Sequence, residues 1–156
     1  MQLIVQAVRQ FHAPVRELSV LNSASDLMGQ NLFQPPSVKG WDGGRSWINT
    51  STMFTRQNLL VYLLTGRSPR MQEWESSEQG FDARHLVDGA RKPDGSVPSA
   101  EGVTWLLRCS LATTALPERV RAISQCMDTR KLSLDSNEGV IEALCLITAL
   151  PEYQLC

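Results

Sequence analysis

The sequence has no excess of positive charge and no long apolar run. Its 15 Lys and Arg residues are balanced by 16 Asp and Glu residues, which gives a formal net charge of −1. Nucleic acids and anionic lipid surfaces are bound through clustered positive charge, so we expect no nucleic-acid partner. No apolar stretch approaches the roughly 20 residues with which an α-helix crosses a bilayer, so we also expect no membrane span.

Residues that bind metals are scarce. The two histidines, His12 and His85, accompany four cysteines, which stand at positions 109, 126, 145 and 156 and never form a C-x-x-C pair. Zinc sites usually use closely paired ligands, so we predict no metal and no cofactor. Three of the cysteines fall within helical patterns, where a cysteine usually acts as a small buried hydrophobe. The sequence assigns no disulfide and leaves the redox compartment open.

Helical periodicity is the clearest positive signal in the chain. The first eleven residues repeat apolar side chains at helical spacing but lack the basic leader and cleavage site of a signal peptide, and localisation stays unknown. Pro14 is predicted to end this helix and to begin a second one, which ends near Gly29. The buried face of the second helix is predicted to consist of Leu18, Leu21, Ser25 and Met28.

A third and central helix is predicted from about Asn49 to Thr65. Its N-cap candidates are Asn49, Thr50 and Ser51, and Gly66 provides the stop. Its second half is apolar on every side, which is typical of a helix surrounded by others.

The C-terminal end of the chain is predicted to hold three more helices, over residues 101–114, 117–130 and 136–149. Pro117 fits a first helical position, and either Asp135 or Ser136 can cap the last of the three. A short helix over residues 81–89 and a final turn from Pro151 complete the prediction. The predicted fold class is therefore all-α, an irregular array of about six helices with a long turn-rich loop between helices 2 and 3.

The composition divides the chain into three parts. Residues 1–66 contain the turn-rich loop and the central helix, residues 67–102 are predicted to form a polar surface loop, and residues 103–156 form a three-helix segment. The C-terminal end of the chain, from residue 101, contains a short echo. Glu101-Gly-Val is followed thirteen residues later by Thr114-Ala-Leu-Pro-Glu, and Glu138-Gly-Val is followed ten residues later by Thr148-Ala-Leu-Pro-Glu. We interpret the echo as similar helix-start and helix-stop chemistry used twice, in preference to a true repeat.

The turn-rich loop contains three large aromatic residues, Phe33, Trp41 and Trp47. Aromatic residues among turns usually anchor a loop onto neighbouring helices, and we expect that role here. The string from Gly40 to Ser46 superficially resembles a phosphate-binding loop, but it lacks the G-K-[ST] ending and a preceding strand, so a nucleotide role is not predicted.

Arg56 falls on the apolar stripe of the central helix. A buried guanidinium keeps its proton and needs a carboxylate, carbonyl oxygens or an anion. We expect a structural clamp from Arg56 to Asp42 or to backbone carbonyls of the loop. The alternative is an anion site that Arg56 shares with Arg45. His85 is the other candidate for acid–base chemistry, although no nucleophile pattern stands near it.

The segment 28–58 contains a dense set of short motifs, and the end of the chain contains one more. They are Gly29-Gln-Asn-Leu-Phe-Gln-Pro-Pro, Gly40-Trp41, Gly44, Trp47-Ile-Asn and Arg56-Gln-Asn58, together with the terminal Leu146-Ile-Thr-Ala-Leu-Pro-Glu-Tyr-Gln-Leu. This set resembles the C-terminal signature of the bacterial family called domain of unknown function 1800. The resemblance implies a mainly helical protein of several hundred residues, often exported, of which this chain would be the C-terminal portion. It transfers no catalytic residue. Gly40, Trp41, Trp47, Arg56 and Asn58 match motif positions of unknown role.

Two functions are compatible with these observations. The first is a non-catalytic helical scaffold or docking portion of a larger, uncharacterised protein, whose partner is a missing N-terminal part or a second copy. The second is part of an enzyme or small-ligand pocket that the Trp41 loop walls and missing sequence completes. That pocket would bring Asp42, Arg45, Arg56 and His85 together, since loops anchored on rigid helices commonly carry function.

Overall fold

The computed structural model describes residues 2–15, 17–31, 33–35, 37–41, 46, 48–69, 74, 76 and 81–155. Within these residues every element of regular secondary structure is a helix, which confirms the all-α prediction. The chain divides into two compact units, Met1–Gly80 and Phe81–Cys156. The helices are α1 (Gln2–Phe11), α2 (Leu18–Leu27), α3 (Thr50–Thr65), a 3-10 helix (Arg84–Ala90), α4 (Ser99–Leu111), α5 (Pro117–Thr129), α6 (Asn137–Thr148) and α7 (Pro151–Gln154).

Helix α3 is central to the first unit, where it contacts both α1 and α2. Asn49 is its N-cap, because the Asn49 side chain accepts a hydrogen bond from the Thr52 backbone N–H while the Thr52 hydroxyl accepts one from the Asn49 N–H. Gly66 ends the helix in the left-handed conformation at φ 73°. The buried side chains of α1 and α3 include Leu3, Ile4, Ala7, Phe11, Leu59, Leu60, Leu63 and Leu64.

The second helix differs from its prediction. It begins at Leu18 and not at Pro14, and the Leu18 side chain is 76% exposed. The buried side chains are Val20, Ala24 and Ser25, followed by Met28. Residues spaced four apart lie on one face of a helix. The face that contains Val20, Ala24 and Met28 therefore points to the core, and Leu18 points to solvent.

The second unit is arranged around α4, which contacts the 3-10 helix, α5, α6 and α7. Pro117 and Pro151 occupy the first turns of α5 and α7, and the Ser136 hydroxyl caps α6 by accepting from the Gly139 N–H. Gly139 is required sterically, since a Cβ there would lie 1.9 Å from the carbonyl oxygen of Ser133. The core side chains include Val87, Val103, Leu106, Leu107, Ile123, Met127, Leu134, Val140, Leu144, Ile147 and Tyr153.

The segment 67–102 contributes to both units. Trp74 is buried and meets Tyr62 edge-on, with 5.4 Å between the ring centroids. From Phe81 onward the segment belongs to the second unit, where Phe81, Val87 and Val97 are buried. The polar composition of this segment predicts a surface loop and does not predict these buried apolar side chains. Across the described part of the chain, no helix has the length and apolar character that a bilayer crossing requires.

Candidate functional site

The Gly40-Trp41 part of the signature follows a turn over residues 37–40. The Gly40 N–H donates to the Ser37 carbonyl at 3.0 Å, and Gly40 has a φ of 88°. No side chain lies within 4 Å of a Cβ added at this position, so the left-handed backbone is what favours glycine here. Trp41 is the first residue after this turn.

Trp41 lines a cleft of about 410 Å³ in the first unit. The residue is 45% exposed, so it is only partly covered by its neighbours. The cleft lies between the end of α2 and the first turn of α3. Its other lining residues are Asp26, Leu27, Met28, Gly29, Gln30, Ser46, Asn49, Ser51 and Thr52.

Arg56 is buried, as the sequence predicts, with only 3% of its surface exposed. Its neighbours on α3 include the buried Thr52, Leu59 and Leu60. Burial lowers the pKa of the Arg56 guanidinium below its ordinary value. The proposed clamp partner Asp42 lies outside the described residues, so the clamp and the anion site both stay predictions.

The remaining signature positions are less informative. Asn58 is half-buried on α3 beside Leu59, and Trp47 and Arg45 lie outside the described residues. Among the described signature residues, the structure therefore brings Trp41 together with the start of α3, where Asn49 forms the helix cap.

His85 belongs to the second unit, on the exposed side of the 3-10 helix. Its Nδ1 donates to the carbonyl oxygen of Asp82 at 2.9 Å, because a carbonyl can only accept. The imidazole also meets the Phe81 ring edge-on at a centroid distance of 6.2 Å. These contacts hold the imidazole at the start of the 3-10 helix.

Phe33 does not anchor the turn-rich loop, and this prediction was wrong. The residue has a φ of 63°, and its side chain is 86% exposed. Composition identifies a turn, but the direction of a side chain within the turn depends on its backbone dihedrals. Trp41 is anchored only in part, and Trp47 is outside the described residues.

Among the residues that the structure describes, no three His, Cys, Asp or Glu side chains are grouped so that they could hold a metal ion. Cys109, Cys126 and Cys145 carry thiols that are not joined in disulfides. Burial, reinforced by the nearby Glu142 charge, raises the pKa of Cys145 to about 12, so this thiol is a poor nucleophile.

The family follows from the sequence match. Residues 1–155 match the family described as "Protein of unknown function (DUF1800)". The chain belongs to this family. No curated protein and no solved structure matches it. The match includes the segment around Trp41 and Arg56 and assigns a role to neither residue.

Proposed function

We propose that this DUF1800 chain is a non-catalytic helical docking portion, and that its first unit presents an apolar surface to the rest of a larger DUF1800 protein. The proposal is carried by the distribution of exposed apolar side chains. The described residues of the first unit expose Val5, Val15, Leu18, Leu27, Phe33, Val38, Trp41 and Phe54, whereas those of the second unit expose Trp105, Leu116 and Leu155.

Four of these eight exposed side chains lie within the signature segment, residues 28–58. Phe33, Val38 and Trp41 lie in its turn-rich part, and Phe54 lies on α3 two residues before Arg56. Single exposed apolar residues are ordinary on protein surfaces, whereas a concentration of them indicates an interaction site. The signature therefore combines a buried residue within the fold, Arg56, with exposed apolar side chains that a docking partner could cover.

The test supplies the N-terminal part of a full-length DUF1800 protein in trans and measures binding by calorimetry. Burying a Phe side chain contributes about 1.5–3 kcal/mol, so Phe33→Ser and Phe54→Ser should each weaken binding by about tenfold or more. Leu116→Ser and Leu155→Ser in the second unit are matched controls and should leave the affinity unchanged.

Gel filtration with light scattering gives a second readout. Without its partner the chain should self-associate, and Phe33→Ser together with Phe54→Ser should shift it towards the monomer. A monomeric wild-type chain that melts cooperatively, binds no hydrophobic dye and ignores the N-terminal part would refute the docking function.

A second candidate function is a small-ligand pocket at Trp41. The observation that favours it is the cleft of about 410 Å³ that this signature tryptophan lines, because ligand sites are usually concave and combine aromatic with polar side chains. A fragment screen by NMR should then shift the Trp41 indole N–H, and Trp41→Ala should abolish the hits. Hits that persist in Trp41→Ala would place the binding elsewhere.

A further inference from the structure

A second cleft, of about 790 Å³, lies in the second unit at the C-terminal end of α4. Its walls come from the last two turns of α4, which supply Thr104, Trp105 and Arg108, and from the segment 112–115 that follows the helix. The cleft is formed by the second unit alone, and it has no part in the docking function proposed for the first unit.

The sequence echo allows the connection beside this cleft to be compared with the connection between α6 and α7. Between α6 and α7 the chain has two residues, 149–150, and the Gln154 side chain donates to the Thr148 carbonyl at 2.7 Å across this joint. Between α4 and α5 it has five residues, 112–116, the first of which is Ala112 in the left-handed region at φ 50°. The three additional residues accompany an exposed Thr114 in place of the buried Thr148. The Thr-Ala-Leu-Pro-Glu copy that begins at Thr148 thus forms a short connection bridged by a hydrogen bond. The copy that begins at Thr114 belongs to a longer connection, which lies beside the open cleft.

Trp105 is fixed at the edge of this cleft. Its indole N–H donates to the Leu86 carbonyl at 3.0 Å. Its ring also lies against Gly89, where an added Cβ would come within 2.0 Å of the Trp105 Cζ2 atom. The residue nevertheless stays 36% exposed. A binding surface that is already ordered loses less entropy when a ligand binds. A planar ligand group can therefore stack on the Trp105 ring at little entropy cost.

Arg108 places a positive charge beside the Trp105 ring. It follows Trp105 by three residues and so lies on the same face of α4. It is exposed, and its guanidinium has no acceptor within the described part of the chain. A basic residue near a helix C-terminus is favourable by itself, but that does not account for the fixed indole or for the open cleft. The exposed hydroxyl groups of Thr113 and Thr114 add polar partners.

We propose that this cleft binds a small aromatic carboxylate, with its ring on Trp105 and its carboxylate on Arg108. The cleft volume falls within the roughly 300–1,000 Å³ of known ligand sites. The guanidinium can hold a carboxylate through two parallel hydrogen bonds, while stacking on Trp105 selects the planar ring. Neither group alone specifies this ligand class, whereas their juxtaposition does.

The experiment titrates the full ¹⁵N-labelled chain with 2-naphthoate and follows the Trp105 indole N–H, which Trp105→Phe identifies by its disappearance. We expect a saturable shift with 2-naphthoate. The neutral 2-naphthamide should bind about tenfold or more weakly, because it cannot make the charge-assisted hydrogen bonds. Acetate, which lacks the ring, should give no saturable shift.

Two variants test the assignment, and calorimetry measures their affinities. Arg108→Gln should weaken 2-naphthoate binding by about tenfold or more, whereas Arg121→Gln, an exposed arginine on α5, should leave it unchanged. Gly89→Ala should also weaken it, because the added methyl displaces the Trp105 ring. An absence of saturable binding up to about 10 mM, equal affinity for the amide, or equal loss in both arginine variants would overturn the proposal.

Discussion

Asn137 joins two distant parts of the second unit, and its replacement by alanine tests how that unit is held together. The Asn137 Oδ1 accepts from the Ala83 backbone N–H at 2.7 Å, and its Nδ2 donates to the Phe81 carbonyl at 2.8 Å. Ala83 is fully buried. Asn137→Ala therefore removes both partners from backbone groups that water reaches poorly.

The expected loss can be worked out from these two bonds. A backbone group left unsatisfied on burial costs about 1–3 kcal/mol, and both bonds are only partly buried. We therefore expect a loss of about 2–4 kcal/mol in the free energy of unfolding. Alanine is the better helix former, but at the first position of α6 that gain is at most about 0.7 kcal/mol. The lost hydrogen bonds should dominate.

Urea denaturation followed by circular dichroism measures the change, and hydrogen exchange of the Ala83 amide locates it. Glu138→Gln, an exposed neighbour on the same helix, is the matched control and should change stability by less than about 0.5 kcal/mol. If Asn137→Ala changed stability no more than the control, and the Ala83 amide stayed protected, the reasoning from these bonds would be refuted.

Three further predictions concern charged groups and thiols. Arg56→Ala should cost about 3–5 kcal/mol if the clamp is correct, and Arg56→Lys should fail to restore it; an unchanged thermal melt would eliminate the clamp. Hydrogen bonds from the Arg84 side chain and backbone lower the pKa of Asp82 from 3.8 to about 2. The stability that Asp82 contributes should be complete above about pH 4 and lost as the pH falls through that lower value; an NMR titration midpoint near 4 would contradict this. At about pH 8 iodoacetamide should label the exposed Cys109 well before Cys145, whose pKa is about 12; equal labelling in mass spectra of the folded protein would be the opposite result.

The helices were predictable because their end signals are local. Gly66, Pro117 and Pro151 act within one turn of the position they occupy, and the capping contacts of Asn49 and Ser136 span three residues. The start of α2 was not predictable in this way. Pro14 is compatible with a first helical position, but the chain stays extended at Glu17 and the helix begins one residue later.

The features of the candidate sites were only partly predictable from residue spacing in the sequence. The burial of Arg56 followed from helical spacing, and the structure confirms it. The exposure of Phe33 and the fixed position of the Trp105 ring did not follow from spacing. They depend on a backbone dihedral and on contacts with Leu86 and Gly89, nineteen and sixteen residues away along the chain.

The long-range hydrogen bonds made by Asp135 and Asn137, just before and at the start of α6, also bear on the order of folding. Asn137 bonds to residues 54 and 56 positions away, and the Asp135 carboxylate accepts from the Val97 N–H 38 positions away at 2.9 Å. Each of these hydrogen bonds closes a long loop, and the entropy cost of closure must be met before the contact can stabilise anything. Residues 81–98 should therefore join the second unit only after α4 and α6 have paired. They should also be the first part of that unit to detach when it opens.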